Sequence, residues 1–458
     1  MWMAMGKHGK RERQEDLWIA TGTLVETPGH AFYDRLNEVL RRRRFDERVE
    51  HLCLRYYQGP RGRPSMPPGV YFRMLLVGYF EGLGSERGIA WRVSDSLSLR
   101  KFLGYGLDEK TPDHSTLSRT RRLYWLSTHQ AVFGWVLKVL ASEGLVGGET
   151  VSIDATTLEA NAAMRSIVRR DTGEKYEQYL KQLAKAAGLA DPTREELARF
   201  DRKRKKKGSN KDWKHPKDPD ARITKMKDGR THLAHKAEHA VDLTSGALLA
   251  VTLQPADVGD TTTVFETLDA VEAATGETGT AEIRDVVLDK GYHSNEVLVE
   301  LHRRGKRGYV SEPDRGRRRW EGKQAEQNQV YANRRRLRGE RNKRLQKKRT
   351  ELGERSFAHL YETGGMRRLY LRGRDNILKR LLVHGAGFNL GLVMRASLGA
   401  GKPRQLQGLL GCLDPFIALI RRLLSPCRPS LASFALPWVS IDRHALRIPP
   451  AIPATVAA

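Results

Sequence analysis

Cysteine is nearly missing from this chain. Cys53, Cys412 and Cys427 are the only three in 458 residues, and an odd number at such wide spacing gives neither a disulfide framework nor a CxxC zinc pattern; a reducing cytoplasm fits. Long apolar runs are missing too. The opening stretch MWMAMGKHGKRERQEDLW carries charges but no apolar core of signal-peptide length, and no segment reaches the roughly 18 uncharged apolar residues that mark a membrane span. The best stretches, 376–396 and 413–426, are broken by Lys379, Arg380 and His384 and by Arg421 and Arg422, so they read as core or interface helices. Acid is the third shortage: 54 Asp and Glu stand against 81 Lys and Arg, a formal charge of +27. Such a field draws polyanions, nucleic acid first, because neutralising phosphates releases counterions. With 39% hydrophobic residues the chain is too apolar for a disordered basic tail. Its length suggests more than one domain.

Residues 1–30 read as a flexible N-terminus, and 31–145 as helical. PPGVYFRMLLVGYFEGL (67–83) opens on prolines suited to a helix start and places Tyr71, Leu75, Leu76, Tyr79, Phe80 and Leu83 at helical spacing. Ser85 is a cap for the next helix, and Thr111-Pro112-Asp113 repeats the device. Short helices joined by tight turns, the last carrying Arg119, Arg121 and Arg122, suggest a helical DNA-binding domain. A bundle with a basic face fits the same residues.

VSIDATTLEAN (151–161) changes the pattern. Val151, Ser152 and Ile153 read as a short buried strand with Asp154 at its end. A carboxylate there is expensive to bury unpaired, so it is a helix cap or a ligand. Residues 162–200 read as helical and charged. Between Arg202 and Arg230, 13 Lys and Arg face four Asp; this basic insertion, about 200–230 and including Lys205 and Lys206, is a DNA contact or a solvated linker. HLAHKAEHAVDL and ALLAVTLQPA flank TSG and read as a hairpin turning at Gly246. His232, His235 and His239 are unevenly spaced and read as facing solvent or DNA, not zinc. A capped helix (DTTTVFETLDAVEAA), a buried strand ending in Asp289, a helix, and the short strand RGYVSEP follow. Asp289 could also simply open a turn in which Gly291 supplies a positive φ. A strongly basic helical segment and an apolar helix packed on the sheet come next, whereas 397–458, with eight of the 19 prolines, shows no clear pattern.

A mixed sheet of this order can set the ends of its first and fourth strands side by side, and ligand sites of open α/β sheets lie at strand carboxyl ends. Asp154, Asp289 and a glutamate, Glu351 or Glu354, would then form three carboxylates that cannot all stay ionised without a cation. Oxygen ligands alone favour Mg²⁺ or Mn²⁺ over zinc.

SIDATTLEAN, VLDKGYHS and GERSFAHLYETGGMRRLYLRGRDNILKRLLVHGAGFNLGLVMR together resemble the DDE transposases of bacterial insertion sequences, over roughly residues 60–396, and TPDHSTLSRTRRLY resembles their N-terminal domain. The resemblance implies an α/β, ribonuclease-H-like mixed sheet flanked by helices at 146–396, preceded by an all-α domain at 31–145. It implies Asp154, Asp289 and Glu354 as the catalytic triad on two Mg²⁺ or Mn²⁺ ions, Tyr292 and His293 beside the metals, and Glu351 as the rival third carboxylate. In related transposases Tyr and Arg precede the glutamate and Lys follows it. Here Thr350 stands four residues before Glu354 and Tyr361 seven after it, which leaves Arg349, Arg355, Arg367 and Arg368 to hold phosphate. The implied activity is metal-dependent cleavage and strand transfer of double-stranded DNA, at terminal inverted repeats and a target, by a homodimer in the cytoplasm at the nucleoid. A metal-dependent nuclease without strand transfer and a non-catalytic DNA-binding repressor are the rival readings.

Overall fold

A computed structural model of the chain describes residues 30–57, 65–204, 208–226, 229–314, 316 and 318–406. Residues 1–29, Lys205, Lys206, and the stretch from 407 onward with Cys412 and Cys427 lie outside the described residues. Seven helices come first: α1 (Ala31–Arg42), α2 (Phe45–Cys53), α3 (Pro68–Glu81), α4 (Glu86–Asp95), α5 (Leu97–Leu103), α6 (His114–Leu123) and α7 (Leu126–Ser142). Their starts obey the local signals. Pro68 sits in the first turn of α3, where a missing N–H costs nothing. Ser85 and Asp113 cap α4 and α6 by accepting from the Gly88 and Thr116 N–H groups. Helix α3 has no polar face, since Tyr71, Phe72, Met74, Leu75, Leu76, Val77, Tyr79 and Phe80 are all buried. An all-round apolar helix belongs in an interior.

The rest of the unit comprises β1 (Thr150–Glu159), β2 (Val168–Arg169), α8 (Tyr176–Ala186), α9 (Arg194–Lys203), β3 (Trp213–Lys214), β4 (Arg222–Lys225), β5 (Thr231–Asp242), β6 (Leu248–Pro255), α10 (Asp260–Thr278), β7 (Asp285–Leu288), α11 (Asn295–Arg303), β8 (Arg307–Val310), α12 (Gln324–Leu337), α13 (Glu340–Phe357) and α14 (Arg374–Leu398). The main sheet runs β4–β5–β1–β7–β8, with β6 also paired to β5. Strand β5 is antiparallel to β1, and β1, β7 and β8 are mutually parallel. This mixed sheet with helices on its faces, behind a helical N-terminal region, is the ribonuclease-H-like arrangement.

Two expectations change. Strand β1 does not stop at Asp154 but continues to Glu159, because β5 stays paired with it throughout, whereas β7 pairs only with Thr150, Val151 and Ser152. Asp154 therefore sits where β1 loses its parallel neighbour. Residues 162–200 are not one helical stretch either: β2 pairs with β3, and Trp213 packs edge-on against Tyr176 and Tyr179 in a small separate core. Those aromatic anchors lie too far apart in sequence for a periodicity argument to join them.

Buried asparagines finish both edges of the core sheet. Asn333 of α12 accepts from the Val310 N–H at 3.1 Å and donates to the Val310 carbonyl at 2.8 Å, on β8. Asn389 of α14 does the same for Leu248 on β6, at 2.9 and 2.8 Å. Each supplies the partners that no further strand provides. Helix α14 is long and apolar enough to cross a membrane by length and composition, yet it is buried almost continuously from Ile377 to Leu390 against α3, α7 and β6. Its interior charges are partly satisfied: Arg380 donates to the Leu83 carbonyl and to His384 Nε2, both at 2.9 Å, with its Nη1 left without a partner among the described residues, and Lys379 donates to the Arg121 carbonyl at 3.2 Å. It is a core helix, as its interrupting charges imply.

Asn389→Leu keeps much of the shape and removes both bonds, which leaves the Leu248 N–H and carbonyl buried and unpaired. The expected cost is about 2–4 kcal/mol, seen as a lower urea midpoint at unchanged m-value. An unaltered midpoint would mean that water replaces the asparagine.

Candidate active site

Alternation along β1 turns Asp154 and Thr156 toward α13 and the loop that follows it, and Ile153 and Ala155 to the opposite face. Asp154 Oδ1 accepts from the Ala155 N–H at 2.8 Å, and Oδ2 accepts from Arg349 Nη1 at 3.0 Å. Helix α13 crosses close above: a Cβ on Gly353 would lie 3.9 Å from Oδ2, so a longer side chain there would meet the carboxylate. Burial lifts the pKa of Asp154 above its ordinary value; the Ala155 N–H and Arg349 oppose the shift, and the charges of Asp289 and Asp260 add to it.

Asp289 follows the last residue of β7 and caps the short turn Lys290–Tyr292, accepting from the Gly291 N–H at 2.7 Å. Gly291 does not have the positive φ that a simple turn would use. Crowding favours it instead: a Cβ there would stand 3.1 Å from Asp289 Oδ1 and 3.2 Å from Asp260 Oδ2, so a carboxylate would have to give way. Asp260, the first residue of α10, thus reaches the same point.

Sequence reasoning missed Asp260 and the pair that anchors it. Lys236 and Glu238 alternate on β5, two charges on the inward face of an otherwise apolar hairpin, which was the available signal. Lys236 is buried and donates to the Val258 carbonyl at 2.8 Å, Asp260 Oδ1 at 2.9 Å and Thr263 Oγ1 at 2.9 Å. Glu238, fully buried, accepts from the Thr263 and Thr267 hydroxyls, and burial raises its pKa. Tyr292 is 1% exposed, with its hydroxyl unpartnered. Burial raises its pKa well above the ordinary value, and the negative charges of Glu238, Asp260, Asp154 and Asp289 push the same way. His293 is buried next to it.

Glu354 follows Gly353 on the turn that crosses Asp154, but it is exposed. Glu351 is exposed too and pairs with Arg355 at 2.7 Å. Among the described residues no three His, Cys, Asp or Glu side chains are close enough to enclose an ion; Arg349 occupies one oxygen of Asp154 instead. Arg367 pairs with Glu362 and donates to Thr156 Oγ1 at 3.2 Å, and Arg368, 70% exposed, stands 3.6 Å from Glu159. Arg349, Arg367 and Arg368 thus line β1 from Asp154 to its end.

The histidines of β5 are not uniformly surface groups. His239, directly across from Asp154, is buried between Ser356 and Tyr361. Because the Ser356 hydroxyl donates to the Gly353 carbonyl at 2.8 Å, the imidazole N–H lies at Nδ1 and Nε2 accepts from Tyr361; burial lowers its pKa to about 3. His235 is buried against Asp218 at 3.2 Å, and His232 stands 3.9 Å from Glu159. Strand β5 is central, so its polar side chains meet helices and loops where an edge strand would meet water. Arg121 is likewise interior: it is buried, paired with Glu86 and bonded to Asn376 at 3.3 Å. Arg119 and Arg122 are exposed on the same helix, near in sequence to the exposed Trp125.

Residues 23–123 match the family model described as "Transposase domain (DUF772)", and residues 196–386 match "Transposase DDE domain". No curated protein and no solved structure matches the chain. Asp289 and Glu354 fall inside the second matched segment and Asp154 precedes it. With a transposase N-terminal segment and a DDE segment in succession on one chain, over a ribonuclease-H-like sheet with paired acids at its parallel strand ends, the chain belongs to the DDE transposases of insertion sequences.

Proposed function

We propose that the protein binds the terminal inverted repeats of its insertion sequence and catalyses cleavage and strand transfer of DNA, with Asp154, Asp289 and Glu354 as the acids that hold two Mg²⁺ or Mn²⁺ ions. The observation that supports this is the convergence of Asp154 and Asp289, from adjacent parallel strands, beneath the helix that carries Glu354. The donor set fits the ions, since hard carboxylate oxygens with no sulfur or imidazole among them suit Mg²⁺ and Mn²⁺. When bound, the ions would supply Lewis-acid polarisation of the phosphodiester and a more acidic water or 3′-hydroxyl. Arg349 balances the charge of Asp154 in the free protein and, released from it, becomes a phosphate ligand beside the reacting bond. Arg367 and Arg368 extend that track along β1, whereas Arg355 is engaged by Glu351.

In this reading residues 31–145 form the DNA-binding domain, with Arg119 and Arg122 on phosphates, and 146–396 the catalytic domain with its basic insertion. Phosphate contacts position the DNA, and base contacts select the repeat. A homodimer on the DNA, at the nucleoid in the cytoplasm, completes it.

The test is single-turnover cleavage of a terminal-repeat duplex in Mg²⁺ or Mn²⁺, beside a gel shift. Asp154→Asn, Asp289→Asn and Glu354→Gln are expected to abolish cleavage and joining with binding retained, while Glu351→Gln loses at most a modest part. The reverse ranking of the two glutamates would transfer the role to Glu351. Cleavage without joining would make the protein a nuclease, and specific binding with no cleavage in either metal a repressor.

Asp154→Asn carries a second expectation. Because the folded-state pKa of Asp154 is raised above its ordinary 3.8, folding favours the protonated acid, so ionisation destabilises the fold as pH rises through the folded pKa. In EDTA the asparagine variant should therefore melt higher than wild type at neutral pH. The gap should close below the ordinary carboxylate range; a variant that melts lower at neutral pH would show that the Arg349 pair outweighs burial.

The exposed and buried arginines of α6 should separate. Arg119→Ala and Arg122→Ala are each expected to lower the slope of log affinity against log salt by about one. Arg121→Ala strands Glu86 and should instead cost about 3–5 kcal/mol of stability. Equal slopes in all three variants would remove α6 from the DNA face.

A further inference from the structure

Asp260 has no place in the triad, yet its carboxylate is aimed at it. Lys236 takes Oδ1 at 2.9 Å, and Oδ2 faces the Asp289 turn across Gly291. A carboxylate present only to neutralise Lys236 has no reason to present its second oxygen to another acid, since like charges at that range repel. Glu238 cannot serve in its place, because its oxygens are taken by Thr263 and Thr267.

Formal charge is also out of balance. Asp154, Asp289, Asp260 and Glu238 meet Lys236 and Arg349 within the cluster, four acids against two cations. The Tyr292 hydroxyl, buried and unpartnered among those acids, is an independent sign of a ligand. A buried hydroxyl needs a partner, and it can donate to an ion-bound water or a phosphate oxygen.

We propose that Asp260 is a fourth acidic ligand of the metal site, fixed by Lys236 and acting with Asp289 on one divalent ion, directly or through its water. This rests on the reading of Asp154 and Asp289 as metal ligands. Lys236 is then a positioning residue. Anchoring one oxygen on a buried ammonium pre-organises the other, as hydrogen-bond partners behind a metal ligand do generally.

The test is Mn²⁺ binding to the full chain without DNA, followed by loss of the free-ion electron paramagnetic resonance signal. Asp260→Asn should weaken the affinity about 10-fold or more, and Lys236→Met should shift it in the same direction, the range typical of lost supporting groups. Asp257→Asn should change nothing, because Asp257 is exposed and paired with Arg222 at 3.4 Å. If Asp154→Asn binds Mn²⁺ like wild type, the underlying metal-site reading fails. If Asp154→Asn loses the ion while Asp260→Asn retains wild-type affinity, only the role of Asp260 is overturned. Should Asp260→Asn not fold, wild-type protein loaded with Fe²⁺ and treated with ascorbate and peroxide decides: backbone cuts are expected at 259–261 as well as at 153–155 and 288–291. Cuts confined to the latter two overturn the proposal.

Discussion

Repulsion between carboxylates is the constraint around which the sheet-bearing half of the chain is built. Strands β1 and β7 pair over only three residues, Thr150–Ser152 with Asp285–Val287, and then part. Asp154 and Asp289 lie just past the parting, close enough that the charge of Asp289 adds to the cost of ionising the buried Asp154. Strand geometry alone would leave Asp154 unbalanced, so Arg349 descends onto it from α13, while on the α10 side Lys236 of β5 holds Asp260 beside the Asp289 turn.

For Arg349 to reach Asp154, α13 must lie across the sheet in one register, and its contacts serve that end. Arg341 pairs with the buried Asp285 near the start of the helix. Gln346 and Lys348 donate to the Tyr309 and Leu243 carbonyls, both at 3.2 Å. Ser356 and Tyr361 hold His239 at the far end, where the helix widens to π geometry over Ala358–Glu362. A neutral imidazole suits this position. His239 stands opposite Asp154, and burial lowers its pKa, so no further positive charge is added on that face of the sheet at neutral pH.

Much of this was legible in the chain. Val151–Ile153 and the run before Asp289 are β-branched and apolar, and the strand order that they imply places the two acids together. Caps at Ser85 and Asp113 and the turn at Gly246, φ +78, follow from residue type alone. What could not be read was which charged residues point inward. Arg121 and Arg122 are neighbours in sequence, yet one is interior and the other exposed, because only Arg121 meets Glu86 and Asn376. The same holds for Lys236, Glu238, His235 and His239: their burial depends on β5 being central, a tertiary fact that overrides the solvated reading of polar residues. Asp260 was hidden because an acid in the first turn of a helix is common on dipole grounds alone.

The helical region and the sheet share α14, and this has a mechanical consequence. One face of that helix packs on β6, where Asn389 grips Leu248, and others pack on α3 and α7. Arg380 is bonded to the end of the α3 turn, and Lys379 and Asn376 reach Arg121 on α6. The backbones at 82–84 and 363–365 touch: a Cβ on Gly84 would fall 2.5 Å from the Gly365 carbonyl. Close-packed interfaces of this kind resist sliding. Helix α6 therefore stands at a fixed distance from Asp154, with no flexible tether between them. If DNA is held on α6 as proposed above, the spacing between the phosphates that Arg119 and Arg122 would contact and the one over Asp154 would be set by packing at α14.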